Sequence, residues 1–234
     1  MLDFANTRLL TFDCYGTLID WETGIFSVLR PMLAARTKSV SDAALLKLYG
    51  ELEAEAEAGE YLTYGDVLRR VVRGMGQRLG FDPSEAEARA LRKSIADWQP
   101  FPDTVESLRR LKQHYKLAVL SNIDDDLFAL TAPKLGVAFD HVITAQQARC
   151  YKPCLKLFQM AEERCGVPRS AWLHVGQSIY HDVIPAQSLG IATVWVNRPS
   201  PRRGIGAVKA ATGKPDLEVA DLKTLADLAC LGND

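Results

Sequence analysis

Apolar residues follow two rhythms along this chain. Leu9-Leu10-Thr11-Phe12 is a short continuous apolar run that stops at Asp13 and is followed at once by Gly16. Such a run reads as a buried strand ending in a tight turn. Comparable runs recur at 117–120, 141–143, 172–175 and 192–196. The second rhythm lies between them. Val105, Leu108 and Leu111 share a face in a predicted helix over 104–114, and further helical patterns cover 155–164, 182–189 and 222–228. Strands alternating with helices predict an α/β fold built on a parallel sheet covered on both faces.

From about residue 21 to 98 the strand rhythm stops. Thr63 with Asp66 and Ser84 with Glu87 have the spacing of capping boxes, and Ser41 caps a Leu-, Ala- and Glu-rich helix. Pro31 is expected to kink or split a helix over 22–36. Gln99-Pro100-Phe101-Pro102-Asp103 is a return linker. The chain therefore divides into a core of 1–20 plus 99–234 and a helical cap of 21–98. Ligands of open parallel sheets sit at the carboxyl ends of the strands, so the cap should roof that edge.

The formal net charge of −1 over 234 residues speaks against a broad nucleic-acid surface or an anionic membrane. No apolar run approaches the ~20 residues of a membrane span. The five cysteines form no C-x-x-C pair, which argues against a disulfide framework or structural zinc and fits a reducing cytoplasm. The stretch 202–214 reads as a surface loop.

Four polar clusters fall where strands end: Asp13-Cys14-Tyr15-Gly16-Thr17, Ser121-Asn122, Tyr151-Lys152-Pro153, and Gln177-Ser178 with Asp182. Each is weak alone. A parallel sheet brings them to one edge, where a carboxylate, a lysine, hydroxyls and an amide suit a nucleophilic aspartate and an anionic substrate. Taken in order, these segments resemble the four motifs of the haloacid dehalogenase (HAD) superfamily, whose fold is a Rossmann-like parallel sheet with an inserted helical cap. Phe12-Asp13-Cys14-Tyr15-Gly16-Thr17-Leu18 is similar to the L-2-haloacid dehalogenase branch; the phosphatase branch carries a second Asp at the position of Tyr15.

The resemblance implies that Asp13 attacks C2 of a small organic acid, forming an aspartyl ester that water hydrolyses to a 2-hydroxy acid. It implies that Lys152 keeps Asp13 ionised, and that Asp182 pairs with Lys152 and helps position or deprotonate the water. Thr17, Ser121 and Ser178 would donate hydrogen bonds to substrate carboxylate or ester, with backbone amides after Asp13, including Gly16, adding to them. Asn122 would lie near the departing group and Tyr15 beside the nucleophile. Trp21 either lines the pocket or anchors the cap. Tyr15 and Gln177 replace carboxylates of the metal-dependent phosphatase pattern, so no cofactor and no metal are expected; the alternative is that Gln177 ligates Mg²⁺ through its amide oxygen. A homodimer is implied by the resemblance alone.

One departure stands out. The dehalogenase branch uses an early cap arginine to cradle halide, but the corresponding segment here, Leu48-Tyr49-Gly50-Glu51-Leu52-Glu53-Ala54-Glu55, is acidic. Arg36, Arg69 or Arg73 would have to substitute. Alternatively, a carboxylate from Asp20, Glu22 or the run 51–60 faces the pocket, favouring an ammonium group, as in the related L-azetidine-2-carboxylate hydrolase; otherwise these glutamates form the solvated face of an amphipathic helix. A HAD phosphatase and a non-enzymatic binding module are the remaining readings.

Overall fold

The structure, a computed structural model, describes residues 2–198 and 211–231. Most of the stretch 202–214, read above as a surface loop, lies outside the described residues. Strand β1 (Leu9–Phe12) is fully buried, and the chain then enters helices α1 (Trp21–Ala34), α2 (Asp42–Glu57), α3 (Tyr64–Leu79), α4 (Glu85–Ala88) and α5 (Ala90–Ser94). The regular alternation follows: α6 (Thr104–Lys112), β2 (Lys116–Ser121), α7 (Asp125–Thr131), β3 (His141–Thr144), α8 (Ala145–Ala148), α9 (Lys156–Cys165), β4 (Trp172–Gly176), α10 (Ile184–Ser188), β5 (Ala192–Val196), β6 (Leu217–Val219) and α11 (Leu222–Cys230). All strands pair in parallel in the order β3-β2-β1-β4-β5-β6.

The order reverses around β1, which lies between β2 and β4. Such a switch point opens a crevice at the carboxyl ends of the strands. Phe12 is in register with both Val119 and Val175, so Asp13 emerges between the ends of β2 and β4.

Local chemistry sets the helix starts. Ser41 and Thr63 accept from the backbone N–H of Ala44 and Asp66, and Ser84 and Glu87 form the reciprocal box. Pro31 does not split α1: it falls in the last turn, where a missing N–H removes one internal bond and the helix continues only to Ala34. β6 was not expected from the sequence; only three residues long, it pairs at the sheet edge.

The helices after β1 are joined to the sheet on both sides. At the linker, Asp20 N–H donates to Gln99 O (2.9 Å) and Phe101 N–H to Leu18 O (3.0 Å). Trp98 lies flat on Gly24, where a Cβ would come within 2.4 Å of the indole. Opposite, the buried Asp124 carboxylate accepts from the first two amides of α3, Tyr64 N–H (2.9 Å) and Gly65 N–H (3.0 Å). Tyr151 donates its hydroxyl to Leu62 O (2.8 Å) and stacks on Tyr61 at 5.4 Å between ring centroids.

Candidate active site

Asp13 is the first residue beyond β1, its N–H donating to Val175 O (2.9 Å). Lys152 Nζ donates to Asp13 Oδ1 (2.9 Å), Asp182 Oδ1 (2.7 Å) and Leu120 O (2.9 Å), which satisfies all three ammonium protons. These groups are deep: Asp13 is 9% exposed, Lys152 2% and Asp182 1%. Asn122 fixes the lysine by its backbone, accepting from Lys152 N–H (2.7 Å) and donating to Lys152 O (3.2 Å). Asp182 also accepts from Ser178 N–H (3.2 Å) and faces His174 Nε2 (3.2 Å). Trp172 Nε1–H donates to Thr11 Oγ1 (2.7 Å), which contacts His174 Nδ1 (2.8 Å). Every partner is satisfied when the Thr11 hydroxyl donates to Nδ1 and His174 Nε2–H donates to Asp182.

Burial raises all carboxyl groups and lowers ammonium groups, whereas opposite charges do the reverse. For Asp182, Lys152 and His174 outweigh burial and hold the carboxyl well below the usual range. For Asp13, burial wins over the pull of Lys152, with Asp182 adding repulsion, so its carboxyl moves upward. Lys152, held between two carboxylates, moves upward despite burial. The ammonium lowers the Asp13 carboxyl, as the sequence suggested, but does not offset its burial and the repulsion from Asp182.

Above Asp13 is a cavity of about 60 Å³, room for a few non-hydrogen atoms. From the core it is lined by Asp13, Tyr15, Ser121, Asn122, Lys152 and Gln177, with Ser178, His181 and Asp182 beyond; from the helices after β1 come Trp21, Glu53, Glu57 and Tyr64. Glu53 Oε1 accepts from Tyr49 OH (3.0 Å) and Tyr64 OH (2.7 Å). Burial dominates and pushes Glu53 up to about 7 although both hydroxyls oppose it. Glu57, one helical turn on, is pushed well up by burial and by Glu53, while Lys152 pulls it down.

Comparison with known proteins bears on this arrangement. The family model of the haloacid dehalogenase-like hydrolases matches residues 7–190, which spans the sheet edge and the roof. The chain belongs to this family. Among haloacid dehalogenase-like hydrolases, an (S)-2-haloacid dehalogenase of Pseudomonas putida is 28% identical over 227 residues, covering 93% of this chain and 96% of the relative. A haloacetate dehalogenase of Moraxella sp. (strain B) is 28% identical, covering 81% and 85%. The crystal structure of a defluorinating L-2-haloacid dehalogenase superposes with a TM-score of 0.79 at 24% identity, covering 96% and 95%.

In this haloacid dehalogenase-like hydrolase most of the residues singled out from the sequence converge, but several face other partners than expected. Thr17 donates to Asp13 Oδ2 (2.7 Å) and accepts from Gln177 N–H (2.9 Å), so it orients the carboxylate instead of reaching into the cavity. Both amide atoms of Asn122 are engaged by Lys152. The Tyr15 hydroxyl is bonded to Thr131 Oγ1 (2.8 Å), leaving its ring as the wall. Ser178 Oγ accepts from His181 N–H (3.0 Å). Gly16 has φ +97°, and a Cβ there would meet Trp21 Nε1 at 3.1 Å and Gln177 Oε1 at 3.2 Å. Trp21 lines the cavity and packs edge-on to Tyr49. Ser121 Oγ is buried and has no hydrogen-bond partner.

Of the arginines considered for a halide, Arg36 is bound by Glu87, Arg69 by Asp66 and Arg73 by Glu85; none lines the cavity. Asp20 caps α1. His174, inside the buried strand β4, contacts Asp182, and nothing in the apolar run 172–175 indicates that. The acidic run 51–60 is visible in the sequence, but Glu51 and Glu55 have the same i, i+4 spacing as Glu53 and Glu57, so spacing does not select the pair that faces the cavity.

The phosphatase branch of these hydrolases implies Mg²⁺. The donor set here does not fit it. The Lys152 ammonium lies between the two carboxylates that would hold the ion, and the second oxygens of Asp13 and Asp182 are taken by Thr17 and Ser178 N–H. Among the described residues no group of three or more His, Cys, Asp or Glu is arranged to hold a metal.

Proposed function

We propose that the protein hydrolyses the bond between C2 and its substituent in a short 2-substituted carboxylic acid, through an ester formed on Asp13, as an (S)-2-haloacid dehalogenase. The observation that carries this reading is the Lys152 ammonium shared by Asp13 and Asp182 at the floor of a small cavity. Asp13 Oδ is the nucleophile, since a buried carboxylate next to an ammonium is ionised yet poorly solvated. Thr17 and Lys152 each hold one of its oxygens, fixing the line of attack. The unbonded Ser121 hydroxyl is the donor available to the substrate carboxylate. Asp182, strongly acidic and held by Lys152 and His174, keeps the ammonium in place while Asp13 is esterified. In the second step water adds to the ester carbonyl and Asp13 leaves as the carboxylate.

A single turnover in ¹⁸O-labelled water tests this reading. The label should enter Asp13 first, seen by mass spectrometry of the peptide that contains it. Label found in product with an unlabelled protein would reject the ester. Asp13→Asn should abolish turnover.

The roof supports a second reading, in which the departing atom is the nitrogen of a strained cyclic amino acid. Two roof carboxyls, and no arginine, are among the described residues that line the cavity above Asp13. Two unit charges of like sign ~4 Å apart near a protein surface repel by about 4 kcal/mol, which disfavours an anion and favours an ammonium. Release of halide from 2-chloropropionate, against ring opening of azetidine-2-carboxylate without halide, separates the two.

A further inference from the structure

Two cysteines meet beside the lysine and take no part in the chemistry above. Helix α8 ends at Arg149, which adopts φ +56°, and the chain turns before α9 begins. Asn122 grips both backbone groups of Lys152, and Cys154 N–H donates to Tyr151 O (3.0 Å), closing the turn. This brings Cys150 and Cys154 together, the Cys150 thiol donating to Cys154 Sγ at 2.7 Å. Both are free thiols; Cys154 is exposed and Cys150 half-buried, whereas Cys14 and Cys165 are buried. Side chains that already meet satisfy the geometric demand of a disulfide. One such pair is a switchable bond, not the disulfide framework that the sequence argues against. The segment between the two cysteines is 151–153. Within it Tyr151 holds Leu62 O and stacks on Tyr61, and Lys152 holds Asp13 and Asp182. The thiols therefore bracket a stretch of chain that touches both the roof and the nucleophile.

We propose that Cys150 and Cys154 are a redox modification site, oxidised reversibly by a low-molecular-weight disulfide, and that their bond clamps the segment carrying Tyr151 and Lys152. Burial, with the contact to Cys154, pushes the Cys150 thiol up to about 12, so the exposed Cys154 supplies the thiolate that attacks first. Its sulfur bonds to one sulfur of the small disulfide, the S–S bond of that molecule breaks, and one half departs as a thiolate that takes up the proton Cys154 gave up. Cys150 then attacks the Cys154 sulfur, and its proton passes to the second departing thiolate. The protein loses two electrons and two protons, and one small disulfide becomes two thiols. The two cysteines meet in the same structure in which Lys152 Nζ reaches both carboxylates, so closing the bond holds that arrangement instead of dismantling it. The oxidised chain has fewer loop conformations open to it, and local opening of 151–154 becomes rarer.

The test uses the full chain equilibrated with oxidised glutathione, then blocked with iodoacetamide and digested with trypsin. Cleavage after Arg149 and Lys156, and not before Pro153, puts both cysteines in the 150–156 peptide. The expected product is that peptide lighter by two hydrogens and free of alkyl groups, returned to its doubly alkylated form when dithiothreitol precedes the block. Cys150→Ser should instead stop at a glutathione adduct on Cys154. In the oxidised chain, hydrogen exchange at the Lys152 and Cys154 amides should slow by at least about tenfold, the order expected for crosslinking a short loop, while the Thr224 amide at the start of α11 keeps its rate. A doubly alkylated peptide after oxidation, a lasting glutathione adduct in the parent, or a bond to another cysteine would each overturn the site. A bond that forms while exchange at Lys152 and Cys154 stays the same or quickens would overturn the clamp. Neither readout involves turnover, so both stand apart from the ¹⁸O experiment on Asp13.

Discussion

Replacing Glu53 by glutamine should stabilise the protein at pH 8, because it removes a charge that the fold holds at a disadvantage. Its carboxyl is raised from 4.5 to about 7, mainly by burial, and the groups facing it are Tyr49, Tyr64, Glu57 and, across the cavity, Lys152 and Asp13. Between those two values the unfolded chain has released the proton and the folded chain has kept it. Stability therefore falls as pH rises from about 4.5 to about 7 and is level above it. The difference corresponds to about 3 kcal/mol as an upper bound, reduced where the carboxyl opens on the cavity. Glutamine keeps an acceptor oxygen for both hydroxyls and does not ionise. Urea unfolding of both proteins at intervals from pH 4.5 to 8.5 should show Glu53→Gln losing less stability across this range and ending about 1–3 kcal/mol above the parent. Parallel curves, or a variant less stable at pH 8, would refute the argument that burial of the charge outweighs its hydroxyl partners.

Three further outcomes follow from the same contacts. Lys152→Met leaves two buried carboxylates without their cation and should destabilise by about 3–5 kcal/mol at neutral pH, with part of the loss recovered under acid conditions that protonate Asp13; a stability equal to the parent's at pH 7 would contradict the shared ammonium. Asp124→Ala removes the acceptor for two amides of α3 and should cost about 1–2 kcal/mol, read as faster hydrogen exchange at Tyr64 and Gly65; unchanged exchange there would deny the clasp. Gly176→Ala would put a Cβ 2.5 Å from the Asp182 Cβ and Cγ, so it should displace Asp182 and lower turnover at least tenfold; normal turnover would show that the loop has slack.

The sheet was legible because its strands are short, continuous and apolar, and because each ends abruptly in polar residues. The four motif clusters were legible for the same reason: strand ends in a parallel sheet must converge. What the sequence did not reveal was direction. Thr17 and Asn122 were expected to reach toward substrate, yet one turns to Asp13 and the other to the lysine backbone, a choice between two hydrogen-bond partners that spacing does not encode. β6 has only three residues, too few to carry a periodic signal. Glu53 and Glu57 were hidden among neighbours of the same charge, and only the packing of Tyr49 and Tyr64 decides which glutamates turn inward.

The loops after β2 and α8 each have a double attachment. One runs from Ser121 and Asn122 to Asp124, the other places Tyr151 beside Lys152, and both Asp124 and Tyr151 grip the segment 61–65. Any displacement of the roof thus pulls on the very chain segments that hold the hydroxyl and the ammonium. A protein with its roof displaced would also have its reacting groups out of line, and exposure of the ester to bulk water by that route would be coupled to loss of the geometry that forms it.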